Sequence, residues 1–179
     1  MQRPPSVDEA RPARCPRCDA SAHREHRRLG LHGHGLRERQ LRGPADVDSL
    51  ATIMLVCVRR YRCTACRATM TVVPREVAHR RLFSRSSIAL AVALWSIARA
   101  SAETVRARVS PWRVRGPGAR GWRTLRAWVD VLRGEPALVI PVDWTRREAA
   151  LRIAHVLGGF APEIADPIAA AFAGAPRVP

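Results

Sequence analysis

Two Cys-x-x-Cys pairs constrain this chain more than any other feature: Cys15-Pro16-Arg17-Cys18 near the start and Cys63-Thr64-Ala65-Cys66 at the end of an alternating apolar run. Each pair can close a tight turn that aims two thiolates and nearby backbone N–H groups at one point, and four thiolates complete a tetrahedral zinc site. If each pair sits at a hairpin tip the result is a zinc ribbon, in which the metal supplies stability that so small a core lacks. Forty-four residues separate Cys18 from Cys63, against the ~15–20 of common ribbons, so the spacing requires a long inserted segment. The competing readings are unrelated free thiols and a redox Cys-x-x-Cys pair, although the latter wants a βαβ setting that this segment does not offer. Arg14, Arg17, Arg62 and Arg67 would partly offset the negative charge of a filled four-thiolate site and lower the thiol pKa values. Cys57, between Val56 and Val58, reads as a small core residue.

Hydrophobic periodicity divides the chain into an α+β arrangement of four parts. Residues 1–13, rich in proline and mixed in charge, read as a flexible tail. Residues 14–76 read as the zinc ribbon, with "TIMLVCVRRYRC" (52–63) as the clearest strand and "ATMTVV" (68–73) as its partner. Between the cysteine pairs, "LRERQLRGPADVDS" (36–49) shows little periodicity and reads as a loop or an extended hairpin excursion. "LHGHG" reads as a polar, glycine-rich turn, so His23, His26, His32 and His34 are not needed as ligands once four thiolates close the site. His79 reads as part of a basic connector.

After Pro74 the period lengthens from two to nearly four. Residues 77–134 form a helical region: 86–100 with Ser86 or Ser87 as N-cap, 101–109 capped by Ser101 with Glu103 in its first turn, and 121–133 stopping at Gly134. Residues 135–179 form a C-terminal helical segment. It opens with a Thr145-x-x-Glu148 capping box and restarts near Pro167. Trp95 and Trp122 share stripes with aliphatic residues and read as core; Trp112, in the connector, reads equally well as a stacking platform for a base.

Thirty-one arginines and no lysine leave a formal charge of +16, which attracts polyanions. Arg106, Arg108, Arg113, Arg115, Arg120, Arg123 and Arg126 lie within twenty-one residues and lack acidic neighbours between 104 and 129, as an anion-binding surface requires. Double-stranded DNA is the expected partner. The longest strongly apolar stretch, "IALAVALWSIA" at 88–98, is far short of the ~20 residues of a spanning helix; it reads as a buried helix, and no membrane partner is expected. The N-terminus has no apolar targeting core, so a cytoplasmic location is expected.

These residues carry a resemblance. The run "RRYRCTACRATMTVVPRE", a basic link, then "SIALAVALWSIARASAETVRARVSPW" and "GWRTLRAWV" resembles the N-terminal DNA-binding part of bacterial insertion-sequence transposases and their stand-alone relatives, over roughly residues 14–134. The resemblance implies a helix-turn-helix whose third helix lies in the major groove, with Arg123, Thr124, Arg126 and Ala127 near base edges. The link between the second and third helices, about ten residues, exceeds the usual ~3–4 of such turns.

No catalytic domain is expected. Two-metal strand transfer needs carboxylates gathered around metals about 4 Å apart, whereas Asp130, Glu135, Asp143, Glu148, Glu163 and Asp166 fall on helix surfaces, ends or loops. The expected protein is thus a structural-zinc, DNA-binding protein and not an enzyme. The alternatives are an RNA-binding or ribosome-associated zinc ribbon braced by its helices, and an interaction subunit that joins a transposase or a second copy of itself through helices 145–173.

Overall fold

The second cysteine pair sits where an alternating strand turns back on itself. Strand β2 (Thr52–Cys63) runs into the turn and β3 (Thr69–Val72) leaves it, antiparallel, with Arg62 opposite Thr69 and Arg59 opposite Val72. The third strand, β1 (Leu31–Gly43), pairs with the other edge of β2, so the sheet order is β1-β2-β3. Residues 4–23, 28–78, 81–114, 121–135 and 138–178 are described by this computed structural model. They divide into two compact units: residues 1–40 with 54–74, and residues 41–53 with 75–179.

The segment at 36–49 takes the extended-hairpin alternative, its residues 36–43 belonging to β1, whereas the expected turn at "LHGHG" is strand instead. From His32 to Glu38 every side chain of β1 is exposed, so burial imposes no alternation on the sequence, and pairing with β2 makes the strand. The forty-four-residue separation is therefore spent mostly on a long hairpin. Residues 4–13, expected to be a tail, are anchored. Ser6 and Glu9 cap each other reciprocally, Ser6 N donating to Glu9 Oε2 at 2.7 Å and Glu9 N to Ser6 Oγ at 3.2 Å. The buried Tyr61 hydroxyl donates to the Val7 carbonyl at 2.6 Å, and the Arg59 guanidinium to that of Pro5.

The second unit is built around helix α1 (Arg85–Ser96). Its run from Ala89 to Ala93 is almost wholly buried, as expected of a helix that is apolar all round. One side joins Ala149, Ala150, Ile153 and Ala154 of α4 (Arg146–Gly158) and Ala171 of α5 (Pro167–Gly174). The other joins Val105 and Val109 of α2 (Ala102–Val109) and Leu125 and Trp128 of α3 (Arg123–Arg133). A 3-10 turn at Ala175–Arg177 follows α5. No described helix is long and apolar enough to cross a membrane.

The expected caps hold at Ser101, at Gly134 and at Thr145, where the Thr145–Glu148 capping box forms in both directions. Asp166 caps α5, accepting from Ile168 N and Ala169 N, with Pro167 in the first turn. At α1 the cap is Ser84, two or three residues before the sequence places it. Its hydroxyl accepts from Ser87 N at 2.9 Å. All three serines are buried, Ser86 Oγ donating to Glu76 Oε2 at 3.1 Å and Ser87 Oγ meeting Ser84 Oγ at 2.6 Å. The helix also ends at Ser96 and not at Ala100, and Arg99 turns the chain with φ 55°.

Gly43 packs against this helix start. It has φ 131°, and a Cβ there would lie 1.6 Å from Ser87 Oγ and 2.5 Å from Ser87 Cβ. Gly43→Ala is expected to cost at least about 2 kcal/mol, because backbone strain and an overpacked serine pair add. Chemical denaturation of the purified variant measures it.

Candidate metal centre

Both Cys-x-x-Cys pairs fold into the same turn. In the first, Cys15 N donates to Ala20 O at 2.9 Å and Asp19 takes φ 56°; in the second, Cys63 N donates to Ala68 O at 2.9 Å and Arg67 takes φ 59°. The shared spacing Cys-x-x-Cys-x-Ala thus gives one backbone path twice, with the residue after each second cysteine in the left-handed region. Gly30 stitches the two turns together. Its N–H donates to Ala22 O at 2.7 Å and its carbonyl accepts from Thr64 N at 3.0 Å. Only glycine fits there, because a Cβ would stand 2.1 Å from the Ser21 carbonyl oxygen.

The result is one cluster of Cys15, Cys18, Cys63 and Cys66 whose sulfurs lie within 4.8 Å of one another. Across the turns, Cys15 Sγ and Cys66 Sγ are 3.7 Å apart, as are Cys18 Sγ and Cys63 Sγ. A tetrahedron with metal–sulfur bonds of about 2.3 Å has edges of ~3.8 Å, so these separations suit one metal ion held by four thiolates. Cys15 and Cys63 are buried beside Ala22 and Leu31, while Cys18 is exposed. The site is therefore closed by protein on one side and anchored in the small core of the first unit.

The thiol acidities diverge because the four sulfurs share one small space. The Arg17 backbone N–H, assisted by that of Cys18, holds the Cys15 thiol below its usual value against burial. Cys63 is brought down to about 7, first by the Cys66 backbone N–H and further by that of Ala65. Cys18 moves the other way. The Ala20 N–H favours its thiolate, but the hydrogen bond with Cys66, burial and the bonds with Cys15 and Cys63 outweigh it and push the group up to about 12. Crowded thiolates disfavour one another's ionisation, and a divalent cation removes that conflict.

The histidines and the fifth cysteine, not expected as ligands, stay apart from the cluster among the described residues. His23, His32 and His34 are exposed and, like the half-buried Cys57, are not part of the cluster; His26 and His79 lie outside the described residues. Of the neighbouring arginines, Arg17, Arg62 and Arg67 are exposed, and Arg14 pairs with Asp19 at 2.6 Å, a link between the two ends of the first turn that sequence spacing did not reveal.

In the second unit, Arg113, Arg123 and Arg126 are exposed and Thr124 is half-buried; Arg115 and Arg120 lie outside the described residues. Arg106 is half-buried. Arg108 has a partner that the sequence does not announce: its guanidinium donates to the backbone carbonyls of Val47 and Ser49. Trp122 and Trp128 are core, while Trp112 is 52 % exposed with the Arg42 guanidinium 5.7 Å from its ring centre. Compared with protein-family models, curated proteins and solved structures, the chain matches none.

Proposed function

We propose that this chain is a structural-zinc protein that binds double-stranded DNA through the outward face of α3, without catalysing a reaction. The four-cysteine cluster supports the metal assignment, since a closed thiolate tetrahedron is the donor set of structural zinc. The observation that carries the DNA reading is the two-faced character of α3. Leu125, Trp128 and Val129 fix one side in the core, while Arg123 and Arg126 stand exposed on the other. The acidic residue of this helix, Asp130, is paired with Arg146 at 2.8 Å, which leaves the arginine face without an internal counter-charge among the described residues.

Helices α1, α2 and α3 share one apolar cluster, which fits a helix-turn-helix arrangement with an extended link at 110–122. The resemblance of residues 14–134 to the DNA-binding part of insertion-sequence transposases points the same way. A regulatory or transposition-related role follows from this reading.

Fluorescence anisotropy with labelled duplexes tests it. Affinity should fall steeply with salt, with a log-log slope of about −0.9 for each phosphate neutralised. Against a site selected from random duplexes, Arg123→Ala and Arg126→Ala are each expected to cost about 1–3 kcal/mol and to relax the preference at one base pair. Arg113→Ala should weaken selected and scrambled sites alike and lower the slope by about one unit. A flat salt response, or tighter binding of an RNA duplex in competition, would overturn the proposal.

A further inference from the structure

The Ala-rich helices are already satisfied on one side. Ala149, Ala150, Ile153 and Ala154 of α4 point into the core shared with α1 and α5, so they are not available to a partner. The opposite side of α4 is open: Trp144, Glu148, Leu151, Arg152 and His155 line a groove of about 300 Å³. Glu148, Leu151 and His155 recur at intervals of three and four residues along α4, the spacing of one helical seam that faces another helix, and Trp144 stands just before the helix.

The segment that leads into α4 is held in an exposed form. Arg133 Nη2 donates to the carbonyl of Pro141 at 2.8 Å and to that of Val142. Val142 is left 92 % exposed, and Val139 is 76 % exposed with φ 44°. A β-branched residue in the left-handed region is strained. The chain thus holds two valines and a tryptophan toward solvent at a backbone cost.

We propose that this face is a homodimer interface in which α4 packs antiparallel against α4 of a second copy. Charge selects that occupant. Two chains of formal charge +16 repel, so a self-association surface must bring its own opposite charges. Asp143 and Glu148 lie at the N-terminal end of the face, with Arg152 and His155 toward the C-terminal end. The basic residues nearest the acidic end are turned elsewhere, Arg146 toward Asp130 and Arg147 over the Trp95 ring at 5.1 Å. An antiparallel pair related by a two-fold axis at the level of residue 150 sets Glu148 of each copy opposite Arg152 of the other. It also stacks leucine on leucine and opposes the two helix dipoles favourably. Both Thr145 bonds to Glu148 use Oε2, so among the described residues Oε1 of Glu148 is left for an arginine across the interface.

Sedimentation equilibrium of the full metal-loaded chain, freed of nucleic acid, tests this independently of DNA binding. The apparent mass should rise from 19.8 kDa toward twice that value with concentration. Leu151→Asp and Arg152→Glu, at half-buried and exposed positions, should each weaken self-association at least about ten-fold while circular dichroism keeps its helical signal. Leu50→Asp, a 79 % exposed leucine outside the groove, should leave it unchanged. A single mass of 19.8 kDa at every concentration would overturn the proposal. So would self-association indifferent to Leu151→Asp and Arg152→Glu.

Discussion

Removing the metal is expected to unfold the first unit while the helical unit stays folded. The first unit's described core is small: Leu31, Val58, Tyr61 and Ala22 are its buried side chains besides the cysteines, and two of the four candidate ligands, Cys15 and Cys63, are themselves buried in it. Domains this small seldom stabilise themselves by apolar burial alone. In zinc-finger peptides metal binding contributes an apparent ~10–16 kcal/mol, at least as much as the whole ~5–15 kcal/mol that separates folded from unfolded in ordinary domains. Losing it should therefore decide the folded state of this unit. Titration with a strong chelator, followed by amide NMR, should collapse the dispersed signals of residues such as Tyr61 and Met70 while those of Ala91 and Ile153 persist. Cys63→Ser should reproduce the effect, and Cys57→Ser should retain about one metal per chain. Metal analysis and the absorption spectrum distinguish zinc from iron in the same sulfur tetrahedron. A chain that keeps the native spectrum of both units after metal removal would show that the cluster is not structural.

The next largest effect is expected from Trp128→Ala, with a loss of about 3–5 kcal/mol from the second unit. Trp128 is 3 % exposed and forms an edge-to-face trio: its ring centre lies 4.9 Å from that of Phe83 and 5.1 Å from that of Trp122, which in turn lies 6.2 Å from Phe83. Such pairs add to the apolar area they bury, and a chain with three Phe and one Tyr has few other large rings to fill the space. Thermal unfolding measures the loss. A tryptophan that served only as a platform for bases would leave stability intact and change nucleic-acid affinity instead, so the measurement separates the two roles. Trp112→Ala, at the exposed connector position, is the contrasting variant, with little expected effect on unfolding.

Some features of this protein are local, and the sequence alone settles them. The two Cys-x-x-Cys turns depend on six consecutive residues each and their backbone bonds, so the candidate ligands Cys15, Cys18, Cys63 and Cys66 can be read from spacing. The same holds for Ser101 at the start of α2, for Gly134 after α3, and for the Thr145–Glu148 box, since each cap joins groups within three or four residues. Helix α1 is legible because an apolar run of its length finds burial only as the centre of a helical core.

Tertiary structure decided the features that depend on distant partners. Strand β1 exists because β2 pairs with it, and its solvated side chains leave no period in the sequence. Among three neighbouring buried serines, the cap of α1 is Ser84, while Glu76 takes Ser86 and the Ser87 hydroxyl meets that of Ser84. Arginines look alike in a sequence, yet Arg108 is committed to loop carbonyls some sixty positions away while Arg123 and Arg126 remain outside. The physical reason is common to all three cases: a hydrogen bond or a buried surface between residues far apart in the chain has no local pattern, and only the closed fold shows which of several equivalent side chains it has used.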